Sequence, residues 1–134
     1  MKNFRKHGDY YAGDEIRVRK EFPPSIFEGT LHSIQVTFKF KDQGWGNYKG
    51  NVYIGELRND GSIAGILVSS PTAPHGKSKE CKLVYYPEQQ GLTYGLCYKV
   101  GGGGGHWLSV KEIIVTTFTY RNEELELKES MRKR

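Results

Sequence analysis

Only two cysteines, Cys81 and Cys97, occur in this 134-residue chain. A disulfide framework of the kind that holds small secreted domains is therefore excluded, and neither a CxxC pair nor a Cys/His zinc spacing can be drawn. No stretch approaches the roughly 18 apolar residues of a membrane helix, and the polar N-terminus MKNFRKHGDY has no signal-peptide core. A cytoplasmic location is the expectation that follows. Helical periodicity is also missing, since no segment repeats apolar residues at three- and four-residue spacing over a useful length. No GxGxxG lies between a strand and a helix, no glycine run ends in GK[ST], and no Ser-His-Asp arrangement is legible.

Hydrophobic residues make up only 37%, yet aromatics reach 13%, and each aromatic side chain buries a large area. One domain with a real core fits this length. The net charge of +5 is located mostly at the ends. Residues 1–7 carry +3 through Lys2, Arg5 and Lys6, while residues 8–120 and 121–134 carry +1 each. No Lys/Arg stripe follows a strand, so a specific nucleic-acid platform is not expected. The expected layout is a basic segment over 1–12, a domain over 13–120 and a charged, disordered tail over 121–134.

Alternation of apolar and polar residues predicts strands at 14–22, 31–40, 51–58, 62–69, 79–86, 93–100 and 107–120. The clearest is LHSIQVTFKF, with Ile34, Val36, Phe38 and Phe40 on one face. In the first strand, Ile16, Val18 and Phe22 are read in phase. NDG at 59–61 is a hairpin turn signal, and the phase of the last strand blurs at Lys111-Glu112, where a bulge is expected. Seven to eight antiparallel strands predict an all-β sandwich of jelly-roll or related type. If 79–86 paired with 93–100 as a hairpin, Cys81 would face Cys97; two reduced, buried thiols are the preferred expectation.

Strand parity then groups the connections. With alternating direction, 41–50, 70–78 and 101–106 emerge at one end, and 23–30, 59–61 and 87–92 at the other. The first set reads KDQGWGNYKG, SPTAPHGKS and GGGGGH; the second reads as ordinary turns. Trp45, between Gly44 and Gly46, is either an exposed platform for the apolar face of a sugar or a plug closing the sandwich. Gln43, Asn47 and Lys49 supply polar groups beside it, and Asp42 either caps the turn or meets a ligand. His75 and His106 are read as hydrogen-bonding or loop-holding residues rather than metal ligands, for no ligand spacing surrounds them. Gly103 and Gly104 allow close backbone approach, and Trp107 follows them into the last strand. Asp42 is the only carboxylate of these loops, whereas acid/base hydrolysis of a glycoside uses two. No enzyme, metal or cofactor is expected.

KDQGWGNYKGNVYI, TAPH and GGGGGHWLSV together resemble β-sandwich domains of the galactose-binding-like (discoidin-like) type, over roughly residues 13–120. The resemblance implies a jelly-roll that binds glycans or protein surfaces through loops at one end. It carries over to Asp42, Gln43, Trp45, Asn47 and the Gly101–His106 stretch. The combined expectation is a lectin-like, carbohydrate-binding module built from 42–49, 73–77 and 101–107. Its alternative is an assembly protein using the same loops or an edge strand, with a homo-oligomer as one form.

Overall fold

A computed structural model describes Asp9, residues 13–22 and residues 30–120. The remainder of the expected 1–12 segment, the whole PPSIFEG stretch and the 121–134 tail lie outside the described residues. Seven strands follow in order: β1 (Arg17–Glu21), β2 (Leu31–Asp42), β3 (Asn51–Leu57), β4 (Ile63–Ser69), β5 (Lys79–Tyr85), β6 (Thr93–Lys99) and β7 (Leu108–Thr119). They form two antiparallel sheets, β1-β6-β3-β4 and β5-β2-β7. The expected all-β sandwich is therefore observed. Among the described residues no helix is long and apolar enough to cross a membrane.

The alternation in β2 places Ile34, Val36, Phe38 and Phe40 on the inner face, none more than 1% exposed. Phe38 and Phe40 meet edge to face at 5.2 Å. Across the core lie Val52 and Ile54 of β3 with Tyr94, Leu96 and Tyr98 of β6. Each buried large side chain of this kind contributes about 1.5–3 kcal/mol. Only β3 and β4, joined through NDG, form a hairpin within one sheet; every other connection between the seven strands passes from one sheet to the other. The neighbours in each sheet are antiparallel, and it is this reversal of direction from strand to strand that alternates the loops between the two ends.

Of the register irregularities in the two sheets, two bear directly on the sequence pattern. Between Thr37 and Lys39 the register on β7 moves from Ile114 to Lys111, so β7 carries an extra residue. Glu112 accommodates it at φ 53°, and its carboxylate lies 3.0 Å from Lys39 Nζ. The bulge thus sits where the sequence phase blurs. A second irregularity falls between Val18 and Lys20. It separates Phe22, in the main core, from Ile16 and Val18, which pack with Tyr53, Leu57 and Cys97 in a second cluster. The expectation that all three share one phase is corrected by this bulge.

The conditional Cys81–Cys97 pairing is likewise not realised. β5 pairs with β2, setting Cys81 opposite Phe38, while β6 pairs with β3, setting Cys97 opposite Tyr53. The 86–92 connection crosses between sheets instead of closing a hairpin, and both thiols are free. Cys97 is buried, whereas Cys81 is only partly so.

Burial pushes the Cys97 thiol up from 9.0 to about 11. Burial chiefly, with Tyr85 and Glu56 adding to it, pushes the Tyr94 phenol up from 10.0 to about 12. Both groups are neutral when protonated, so the folded chain binds these protons more tightly than the unfolded one. Their contribution to stability is complete below pH 9 and is lost as pH rises through 11 and 12. Thermal unfolding followed against pH should show Tm falling above about pH 9. Cys97→Ala should flatten the first part of that fall; an unchanged slope would remove Cys97 as its source.

Candidate functional site

The three chemically rich connections meet at one end of the sandwich, and hydrogen bonds join them. Asp42 N–H donates to the Pro74 carbonyl at 2.9 Å, and Ala73 N–H to the Gly50 carbonyl at 2.7 Å. Trp107 N–H donates to Gln43 Oε1 at 3.1 Å, joining the last loop to the first. Asp9 and Gly13 lie at the same end: Asp9 bridges Leu108, and Gly101 N–H donates to the Gly13 carbonyl at 2.7 Å.

Asp42 closes β2 and is only 4% exposed. Its Oδ1 accepts from Gly44 N–H at 2.8 Å, an Asx turn that starts the loop, and lies 2.5 Å from His75 Nδ1. Its Oδ2 has no hydrogen-bond partner among the described residues. The other ring nitrogen of His75, Nε2, lies 3.1 Å from the Gly46 carbonyl. His75 therefore fastens the TAPH loop to both ends of the Trp45 turn.

Gln43 shapes that turn from within. Its Nε2 donates to the Trp45 carbonyl while its Oε1 holds Trp107 N–H. Trp45 is turned outward and is 53% exposed, so the indole is not a plug. Its ring meets His106 edge to face at 4.8 Å. His106 is held in place through Nδ1, 2.9 Å from the Gly103 carbonyl.

Glycine is required where these loops approach each other. Gly46 has φ +87°, and a Cβ there would fall 2.6 Å from His106 Nε2. Gly101 has φ +72°, and a Cβ there would fall 2.4 Å from Lys49 Cβ. The glycine run is thus packed backbone at its start and open at Gly103 and Gly104, which are exposed.

All the residues singled out from sequence lie on these three loops or at their junctions with the strands. Asp42 is buried beneath the surface, Gln43 and Trp107 are half-buried, and Asn47 and Lys49 are exposed. Tyr48 was missed. It is 57% exposed and stacks on His75 with ring centroids 3.8 Å apart. An aromatic inside the same glycine-flanked loop was the available signal, hidden because Tyr48 is in phase with no strand. Among the described residues, no group of three or more His, Cys, Asp or Glu side chains gathers to hold a metal ion.

No protein-family model matches the chain, and no curated protein does. A solved structure described as "CBM4 structure and function" aligns with a TM-score of 0.49 and 8% sequence identity, covering 80% of this chain and 79% of that one. At that identity and score, the likeness says nothing about what this chain binds.

Proposed function

We propose that this protein is a non-enzymatic binding module that takes a carbohydrate-type ligand at the loop end of the sandwich. The observation that carries this reading is the pair of outward aromatic rings, Trp45 and Tyr48, each more than half exposed and each backed by a histidine ring. Exposed indole and phenol rings offer flat apolar faces, which suit the C–H face of a pyranose, while Asn47, Lys49 and the open glycine backbone suit its hydroxyls. The discoidin-like resemblance agrees with this placement of ligand at one end.

The histidines are engaged in structure, which supports a binding rather than a catalytic role. Both nitrogens of His75 face protein oxygens, and His106 Nε2 is buried against Gly46. Neither ring presents a nitrogen for proton transfer to a bound substrate. A glycan array probed with the intact protein tests the proposal: binding to a related set of saccharides is expected, and a blank array would count against it.

A second reading, contact with another protein, is favoured by the outer face of the three-stranded sheet. Ile114 is 61% exposed, Phe118 49% and Tyr86 62%. The first two lie on β7, an edge strand among the described residues. Light scattering would support this reading if a defined oligomer formed and Ile114→Lys dispersed it.

A further inference from the structure

Resting on the carbohydrate-binding reading, we infer that the loop end selects saccharides bearing an anionic group, a carboxylate or a sulfate. Within the three loops the charged groups are one-sided, although the exposed Asp14 follows Gly13 at the same end. Within residues 43–50, 70–78 and 101–107 the formal charges are Lys49 and Lys77, with no Asp or Glu. Both lysines are exposed, and among the described residues neither has an ion-pair partner. Asp42, at the root of the first loop, does not offset them at the surface. It is buried, and its Oδ1 already serves Gly44 N–H and His75.

The same imbalance extends to the neutral groups. The side-chain acceptor of Gln43 is occupied by Trp107 N–H, and the Trp45, Gly46 and Gly103 carbonyls already take bonds within the loops. By contrast, Gly103, Gly104 and Gly105 are exposed, and among the described residues their N–H groups have no acceptor. Successive bare N–H groups in a glycine turn form a concavity suited to oxyanions. The backbone contacts of their neighbours root both lysines in the joined loops. Lys49 packs over Gly101, and Lys77 follows Gly76, whose N–H borders Gly44.

The opposite end provides a contrast. Its described loops, 58–62 and 86–92, hold Arg58, Asp60 and Glu88, and there Arg58 bonds to Ser62 and the Ile63 carbonyl. At the loop end, by contrast, Lys49 and Lys77 stand in the same loops as the exposed aromatics with no carboxylate in those loops at the surface. A neutral sugar would use the rings but leave these cationic donors to water. An acidic one would use both, with charge-assisted bonds roughly twice as strong as neutral ones.

Titration calorimetry on the full chain with two matched pairs tests the inference. One pair is a galacturonate hexamer and its methyl ester; the other is a sulfated galactan hexamer and its unsulfated form. The acidic member of at least one pair should bind about ten-fold more tightly. That difference should disappear in Lys49→Ala/Lys77→Ala, and Trp45→Ala should weaken all binding. Which pair responds separates carboxylate from sulfate. Equal or tighter binding of the neutral members would overturn the inference and leave the binding-module reading standing. A preference that survives the double lysine substitution would overturn it too, placing the attraction elsewhere on this basic chain. If no saccharide of either charge binds here or on the array, both fall. Because both lysines are solvent-exposed, unchanged circular dichroism and Tm are expected of the double variant.

Discussion

Replacing Trp45 with alanine is expected to weaken saccharide binding by between ten- and sixty-fold while leaving the fold intact. The magnitude follows from area. A tryptophan side chain offers roughly 200 Å², and Trp45 is 53% exposed, so about 100 Å² remains to be covered by a ligand. At about 25 cal/mol per Å², full coverage is worth about 2.5 kcal/mol, or about sixty-fold, and half coverage nearer ten-fold. The loss in stability should be small, because the exposed half of the ring contributes nothing to folding. Its buried contacts are an edge against His106 and the backbone near Gly105. A Tm change within about 2 °C is expected. Titration of wild type and variant, with Trp45→Phe as an intermediate, checks the result. Unaltered affinity in Trp45→Ala would falsify the platform role.

Gln43→Ala should act on the same ring from behind. It removes both the bond to the Trp45 carbonyl and the acceptor for Trp107 N–H, so the turn loses its internal brace. Affinity should fall less than in Trp45→Ala, because the indole is still present but no longer held.

The architecture was legible in the sequence because period-2 alternation and breakers act locally. LHSIQVTFKF can bury one face only as a strand, and NDG can close only a tight turn. Strand parity then placed three loops at one end without any knowledge of sheet order. What the sequence left undecided depends on contacts between distant segments. The Cys81–Cys97 geometry rested on a hairpin assumption, and sequence spacing does not reveal that β5 and β6 join different sheets. The bulge near Lys20 reversed the phase of one residue in the first strand, an effect set by pairing with β6 rather than by the residues themselves. Trp45 could be read as platform or plug until the partners of Gln43 and His106 were known. Tyr48 escaped for the same reason: its significance lies in His75, 27 positions away in the chain.

Asp42→Ala should be among the most damaging substitutions at this end, although the carboxylate scarcely reaches the surface. It removes the acceptor of Gly44 N–H and the partner of His75 Nδ1 together, and charged hydrogen bonds contribute about 1.5–3 kcal/mol each. The two losses overlap, so a total near 3 kcal/mol, and a Tm lower by roughly 10 °C, is expected for a chain of this size. Asp42→Asn should cost less, since its carbonyl oxygen can still accept from Gly44. A double-mutant cycle with His75→Ala separates the parts: a coupling of about 1–2 kcal/mol is expected if the ring and carboxylate hold the two loops as a unit. Ligand affinity should fall in Asp42→Ala and His75→Ala alike, because each frees the TAPH loop from the turn that carries Trp45 and Tyr48. Additive effects on stability would instead mean that the backbone bonds from Asp42 to Pro74 and from Ala73 to Gly50 already fix the loops. The aromatic pair would then be presented by the sheet ends themselves, and Asp42 would matter only to the turn it begins.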